Sequence, residues 1–116
     1  MAGGWGAAWD LGTSETLAAG ISKAFGNNQL LGSVCHGALG FIKASTPEGE
    51  NLCKGKHMTG VTDKQIEQLG IADLTPQHPE DELKKAGAIF ECHHGLITDI
   101  FSNDVVIDGN IITGQN

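Results

Sequence analysis

The sequence has no cluster of basic residues. Its formal net charge is −7, and the nearest approach to a basic run is the segment that contains Lys54, Lys56 and His57. Proteins that bind nucleic acids need clustered Lys and Arg to neutralise the phosphates. We therefore expect no nucleic-acid partner.

Long hydrophobic runs are also missing. No stretch approaches the roughly 20 apolar residues of a transmembrane helix, so we expect no membrane partner. The first residues lack the basic start and apolar region of a signal peptide. The three cysteines are an odd number and fit no closed disulfide framework. Together these absences predict a reducing, cytoplasmic location.

The chain also has no internal repeat and no linker that would divide it. With 116 residues, it is expected to form a single domain over residues 1–116. Its 17 glycines are not in a low-complexity run. Most fall singly at expected turns and helix ends, which is typical of a compact domain with short connections.

Helices and strands are expected to alternate along most of the chain. Residues 1–11 are predicted to form a loop. The expected helices begin at Ser14, Gly37, Thr62 and Pro79, and Thr62 with Gln65 makes a capping-box pattern. The expected strands cover residues 30–34, 57–59 and 88–91, followed by a hairpin of residues 105–107 and 111–113. This alternation predicts an α/β fold with a mostly parallel sheet and an antiparallel excursion near the end.

The most informative motif surrounds Cys35. A short apolar run ends in Cys35, His36 follows at once, and Gly32 and Gly37 flank the pair. Glycines allow a sharp turn between a strand and a helix, which would present the thiol at the helix N-terminus. Such a position stabilises a thiolate. The alternative interpretation is a buried cysteine that packs as a small apolar residue.

Five short motifs, taken in order, resemble the ThiJ/PfpI superfamily, which has the class I glutamine amidotransferase fold. They are AGGWG at 2–6, VCHG at 34–37, LCKGKHMTG at 52–60, EDEL at 80–83 and VIDGNIITGQN at 106–116. The branch that the chain most resembles contains glyoxalase III-type enzymes and related stress proteins. This resemblance implies a flavodoxin-like three-layer sandwich with a nucleophilic Cys35, an oxyanion site at Gly3, Gly4 and Gly37, and no cofactor.

The resemblance also implies a reaction. Cys35 would add to the aldehyde of methylglyoxal, His36 would move a proton between the adjacent carbons, and hydrolysis would release D-lactate. The resemblance is also consistent with a related cysteine-dependent hydrolase or deglycase reaction on the same fold. The alternative is a catalytically impaired remnant that acts as a thiol redox sensor or interaction protein. An amidotransferase is less favoured, because no histidine–glutamate pair follows far downstream.

The chain departs from the family pattern in several places. The family's two N-terminal strand–helix units and its C-terminal helix are not matched, and with them a glutamate that contacts the cysteine. The carboxylate that orients the histidine corresponds to Ile66, with Glu67 beside it. An exposed sheet edge predicts a homodimer, and so does the frequent dimerisation of family members.

Other candidate residues have simpler interpretations. Cys53 and Cys92 are expected to be structural, and the irregular spacing of Cys92, His93 and His94 argues against a metal site, although the two histidines could line a pocket. His78 is expected in a solvated helix entry. Trp5 and Trp9 could either wall the active site or cover the core.

Overall fold

The fold is described from a computed structural model that covers residues 1–116. Its helices are α1 (Ala7–Asp10), α2 (Glu15–Gly26), α3 (Asp63–Gln68) and α4 (Pro79–Lys85), with 3₁₀ helices at Cys35–Phe41 and Ala72–Leu74. Its strands are β1 (Leu31–Val34), β2 (His57–Met58), β3 (Ile89–Phe90), β4 (Val105–Asp108) and β5 (Ile111–Gly114). No helix combines the length and the apolar character needed to cross a membrane.

The strands form two small sheets. In the first, the order is β1-β5-β4, with β1 parallel to β5 and β4 antiparallel to β5. In the second, β2 and β3 pair in parallel. Leu31 lies opposite Ile111 and Val34 opposite Gly114, so β1 and β5 end side by side. The predicted α/β fold, with parallel pairing and a late antiparallel hairpin, is confirmed.

Helix-capping signals place the helices where the sequence predicts them. The Ser14 side chain accepts a hydrogen bond from the backbone N–H of Leu17 and begins α2. Thr62 and Gln65 form a reciprocal capping box at the start of α3. Pro79 begins α4, whose last turn carries Lys84 and Lys85, cations that complement the helix dipole.

Two local predictions are wrong. The segment predicted as a loop, residues 1–11, contains the one-turn helix α1, because Ala7 and Ala8 favour helix and Ala8 is fully buried against the rest of the chain. The helix expected at residues 37–43 is a 3₁₀ helix that already begins at Cys35. Residues His36 to Phe41 of this segment are all buried. Their packing against neighbouring elements outweighs the segment's weak intrinsic preference for an α-helix.

The core lies directly behind the turn at Cys35. Its largest fully buried side chains include Phe41, Leu52, Met58, Leu83 and Ile111. They come from the 3₁₀ helix, the following connection, β2, α4 and β5, so burial of these residues fixes the elements that surround the Cys35 turn.

The N-terminal segment runs along the free edge of β1. The amino group of Met1 donates to the carbonyl oxygen of Gly32, and the N–H of Val34 donates to the carbonyl oxygen of Met1 (3.2 Å). A Cβ on Gly37 would lie 2.6 Å from the carbonyl oxygen of Ala2. Gly37 is therefore needed for the close approach that brings residues 2–4 beside Cys35.

The capping box of α3 provides a test of this account. Thr62 is almost fully buried and its Oγ1 accepts from the Gln65 N–H (3.1 Å). We predict that Thr62→Ala lowers the free energy of unfolding by about 1–2 kcal/mol, because the buried N–H loses its acceptor. Urea denaturation followed by circular dichroism measures the change. Thr16→Ala, at an exposed position of α2, is the control and should cost nothing. Equal losses of unfolding free energy in the two variants would contradict the role of Thr62 as the cap of α3.

Candidate thiol site

The backbone of Cys35 has an uncommon conformation. Its φ is 58°, in the left-handed region that only one other non-glycine residue, Asn28, adopts in this chain. Such a conformation costs a residue with a side chain about 1–2 kcal/mol and persists only where the surroundings impose it. Here the turn joins β1 to the 3₁₀ helix without any intervening loop. The partly exposed thiol therefore lies on a tight, strained connection at the carboxyl end of β1.

His36 is the immediate neighbour of the thiol. The Sγ atom of Cys35 lies 3.5 Å from Nδ1 of His36. The imidazole is almost entirely buried, and its Nε2 has no hydrogen-bond partner. Burial lowers the pKa of His36 below its ordinary value, and the nearby charge of His78 lowers it further. His36 is consequently neutral near pH 7 and has a ring nitrogen able to accept the proton of the thiol.

The Gly3–Gly4 turn packs directly on the cysteine. A Cβ on Gly3 would lie 2.7 Å from Cβ of Cys35, so only glycine fits there. Gly4 has a φ of 107°, which also favours glycine. The backbone N–H groups of Gly3 and Gly4 donate to no acceptor within the protein. Two free amide donors thus lie in the segment nearest the thiol.

No carboxylate completes the pair of Cys35 and His36. Ile66, the position at which the sequence predicts the loss of an acid, is fully buried in α3. Glu67 is exposed on the same helix, and its carboxylate takes part in no hydrogen bond or salt bridge. The rotation of about 100° between successive helix residues accounts for this difference.

His78 is placed only partly as predicted. It lies at a helix entry as predicted, as the N-cap residue of α4, but it is less solvated than expected. Its side chain is 26% exposed, with Nδ1 3.3 Å from Oδ1 of Asp63 and Nε2 3.1 Å from the carbonyl oxygen of Ala72. The difference arises because α3 and the segment after it fold back over the start of α4. Burial, with the nearby Glu80, raises the pKa of Asp63. Sequence reasoning missed this pair, since its members are separated by 15 residues.

The two tryptophans form an exposed pair. Their rings meet edge to face with centroids 5.0 Å apart, and Trp5 donates from Nε1 to Oγ1 of Thr75 (2.9 Å). Trp5 is 40% and Trp9 51% exposed, so neither ring is enclosed in the core. The pair instead fixes α1 against the segment that contains Thr75.

The remaining cysteines have contrasting environments. Cys53 is fully buried, and burial raises the pKa of its thiol to about 12. Cys92 is partly exposed and lies near His94, whereas His93 extends into solvent. No group of three His, Cys, Asp or Glu side chains has the arrangement of a metal site.

The chain is similar to known proteins in both sequence and structure. Over 118 residues the chain is 30% identical to glyoxalase 3 of Candida albicans, a match that covers 97% of this chain and 48% of the relative. The crystal structure of glyoxalase III from Candida albicans superposes with a TM-score of 0.85 at 29% identity, covering 96% of this chain and 47% of that one. No protein-family profile matches the chain.

Two further solved structures share the fold. The 24 kDa rapid encystment protein of Francisella tularensis has a TM-score of 0.88 at 28% identity, over 98% of this chain and 48% of its own. A two-domain protein of Anabaena variabilis, with DJ-1/ThiJ/PfpI-like and ferritin-like domains, has a TM-score of 0.59 at 20% identity, over 94% of this chain and 22% of its own. The chain spans about half the length of the curated relative that it matches.

Protonation of His36 is predicted to destabilise the fold. Its pKa is lowered from 6.5, so the unfolded chain binds this proton first as the pH falls. The stability contributed by the neutral ring is present above that value and is lost as the pH falls towards the lower folded-state pKa. From about pH 7.5 to about pH 5.5, the unfolding free energy of the unaltered chain should therefore fall more steeply than that of His36→Gln. Urea titrations at each pH measure both slopes, and parallel slopes would contradict the prediction.

Proposed function

Since the chain is a ThiJ/PfpI-type domain related to glyoxalase III, we propose that it carries the thiol centre of a glutathione-independent conversion of methylglyoxal to D-lactate. The observation that carries this proposal is the strained turn at Cys35, with φ at 58° and His36 Nδ1 at 3.5 Å from the thiol. A nucleophile elbow has this arrangement of strand, exposed nucleophile and helix.

The first step is addition of the thiol to the aldehyde. Neutral His36 accepts the Cys35 proton at Nδ1, the sulfur–carbon bond forms, and the carbonyl oxygen gains the negative charge. The amides of Gly3 and Gly4, with Gly37 at the start of the 3₁₀ helix, are the donors we assign to this oxyanion. Donors that are already in place when charge develops are among the larger contributions to catalysis.

The following steps move a proton and release the product. His36 first gives the thiol proton to the oxyanion, which completes the hemithioacetal and makes the imidazole neutral again. It then takes the proton from the carbon bonded to sulfur and returns it to the neighbouring ketone carbon, which turns the hemithioacetal into a lactoyl thioester. Water then cleaves the thioester, giving lactate and the free thiol. One methylglyoxal and one water thus become one lactate, without a redox partner or cofactor.

Thiol-based redox sensing is a second candidate function. It is favoured by one observation: Nε2 of His36 has no carboxylate partner, so no group fixes the ring for repeated proton transfer. A strained, partly exposed thiol would still react with a hydroperoxide to give a sulfenic acid. This function needs the nucleophile alone and not the proton shuttle.

A homodimer is part of the same proposal. Strand β4 is at the edge of the three-stranded sheet, and its side chains Val105 and Ile107 are 65% and 67% exposed. An exposed apolar edge strand favours association with a second chain. The partner we propose is therefore another copy of this chain, paired along β4.

The enzyme proposal predicts a clear pattern of losses. Methylglyoxal consumption and D-lactate formation, measured without glutathione, should disappear in Cys35→Ser. They should fall by about 100-fold in His36→Gln, because general-base catalysis contributes at least that much. Cys53→Ala is the matched control, since Cys53 is buried away from solvent, and it should keep full activity in the folded state.

Two results would contradict the enzyme proposal. Turnover that survives Cys35→Ser would exclude Cys35 as the nucleophile. A folded chain without turnover, in which Cys35 is nevertheless the first thiol converted to sulfenic acid by hydrogen peroxide, would establish the redox function in its place.

The dimer proposal has its own test. Light scattering should give a dimer for the unaltered chain and a monomer for the double variant Val105→Lys, Ile107→Lys, because charges on an edge strand oppose pairing. The thermal unfolding midpoint of the separated monomer controls for misfolding. A monodisperse monomer of the unaltered chain would contradict the proposal.

A further inference from the structure

A second group of chemically active side chains follows β3. Sγ of Cys92 lies 3.3 Å from Nε2 of His94, and Nδ1 of His94 lies 2.5 Å from Oδ2 of Asp99. The Asp99 side chain is fully buried, that of His94 is 56% exposed, and Cys92 is partly exposed. The three residues are thus arranged as a nucleophile, a base and an acid that orients the base.

The segment that carries this group is held by three amide side chains, of which those of Gln65 and Gln115 are buried. Gln65 donates from Nε2 to the carbonyl oxygen of Asp99 (2.7 Å), and Gln68 accepts from the Asp99 N–H (2.8 Å). Gln115, also fully buried, bonds both the N–H (2.8 Å) and the carbonyl oxygen (2.9 Å) of His93. The backbone on each side of His94 is therefore fixed before any ligand arrives, and the geometry does not depend on the surface side chains alone.

The hydrogen bonds also define the tautomer of His94. Ionised Asp99 can only accept hydrogen bonds, and it already accepts one from the Gly95 N–H (2.9 Å). Nδ1 of His94 must then carry the proton, which leaves Nε2 free to accept the proton of Cys92. The hydrogen bond from His94 lowers the pKa of Asp99, so the acid stays ionised.

The thiol itself is not ionised in advance. Burial raises the pKa of Cys92, and the nearby carboxylates Glu80, Asp99 and Asp104 raise it further, while Lys84 opposes them. Nζ of Lys64 lies 3.4 Å from Oδ2 of Asp99, the same oxygen that His94 contacts. A protonated thiol beside a free imidazole nitrogen needs a general base to attack, and His94 is that base.

The loop also presents apolar side chains to solvent. Leu96, Ile97 and Phe101 are 106%, 97% and 81% exposed. The first two lie between His94 and Asp99 in the chain, and Phe101 is two residues after Asp99. Isolated exposed apolar residues are ordinary, but three in six positions form a surface suited to an apolar chain. Because Cys92 is partly exposed and no oxyanion donors are assigned to it, an acyl donor with a good leaving group suits this thiol best.

We propose that Cys92, His94 and Asp99 form a second thiol centre, separate from Cys35, which takes apolar acyl groups from activated esters or thioesters and passes them to water. Cys92 gives its proton to His94 as the sulfur–carbon bond forms. The bond to the leaving group then breaks, and the leaving group takes that proton. Water, deprotonated by His94, cleaves the acyl-cysteine. One ester and one water become one acid and one alcohol.

The test uses p-nitrophenyl hexanoate with the full chain. We expect a burst of p-nitrophenolate equal to the protein concentration, with the hexanoyl group found on Cys92 by peptide mass spectrometry. The burst should be faster than with p-nitrophenyl acetate at equal concentration. It should be lost in Cys92→Ala and slowed about 100-fold in His94→Ala, the loss typical of a missing general base. His93→Ala, the neighbouring histidine whose side chain makes no hydrogen bond, is the control and should keep the rate.

Asp99 is a positioning residue and has a separate readout. Asp99→Asn should slow the burst at neutral pH, and the loss should shrink as the pH rises and the Cys92 thiolate forms without a base. A merely structural defect would slow the burst at every pH. The proposal would be overturned by acylation of Cys35 or lysines in place of Cys92, or by equal rates in His94→Ala and His93→Ala. Both histidine side chains are exposed, and the thermal unfolding midpoint of each variant checks that it keeps the fold.

Discussion

The Cys35 site depends on one close contact between backbones. Residues 1–3 lie along β1 and against the turn that follows it, and neither Gly3 nor Gly37 has room for a Cβ. The contact uses the free edge of β1 for hydrogen bonding and places the Gly3–Gly4 amides beside the thiol. Cys35, whose backbone is in the left-handed region, is also the residue at which the 3₁₀ helix begins. Backbone strain and free amide donors therefore meet at the thiol.

The two thiols lie at corresponding places in the topology. Cys35 follows the carboxyl end of β1, and Cys92 comes two residues after β3, so each thiol stands where a parallel strand ends. The β2 region lies close to both strand ends. A Cβ on Gly60, just after β2, would lie 3.1 Å from the Cys35 carbonyl oxygen, and β2 itself pairs with β3. In α/β sheets such carboxyl edges are where functional side chains collect, because loops there are free to vary while the strands hold them in place.

Local chemistry explains what could be predicted from the sequence. The caps at Ser14 and Thr62, the start of α4 at Pro79 and the hairpin around Gly109 each depend on residues within a few positions of one another, and all are found. The turn at Cys35 belongs to this group, because the glycines that permit it are close in sequence.

The misplaced features depend on contacts between distant segments. His78 was expected in solvent because nothing near it in sequence indicates that α3 and Ala72 fold over it. The relation of Cys92 to Asp99 was missed for a similar reason. The irregular spacing that argues against a metal site also gives no indication that Cys92, His94 and Asp99 are linked by hydrogen bonds. That linkage depends on the buried side chains of Gln65 and Gln115, which come from other parts of the fold. The sequence signal that could have revealed this arrangement is Asp99, a carboxylate five residues after His94.

The two thiol sites contain complementary parts of one chemical arrangement. Cys35 has a strained backbone and free amides beside it, but Nε2 of its histidine has no partner. Cys92 has the oriented histidine and the ionised acid, but an ordinary backbone and no assigned oxyanion donors. Amides matter most where charge develops on a substrate oxygen, as in addition to an aldehyde. An oriented base matters most where a protonated thiol must be activated and a leaving group protonated. The difference in surroundings is the basis on which we propose carbonyl addition at Cys35 and acyl transfer at Cys92.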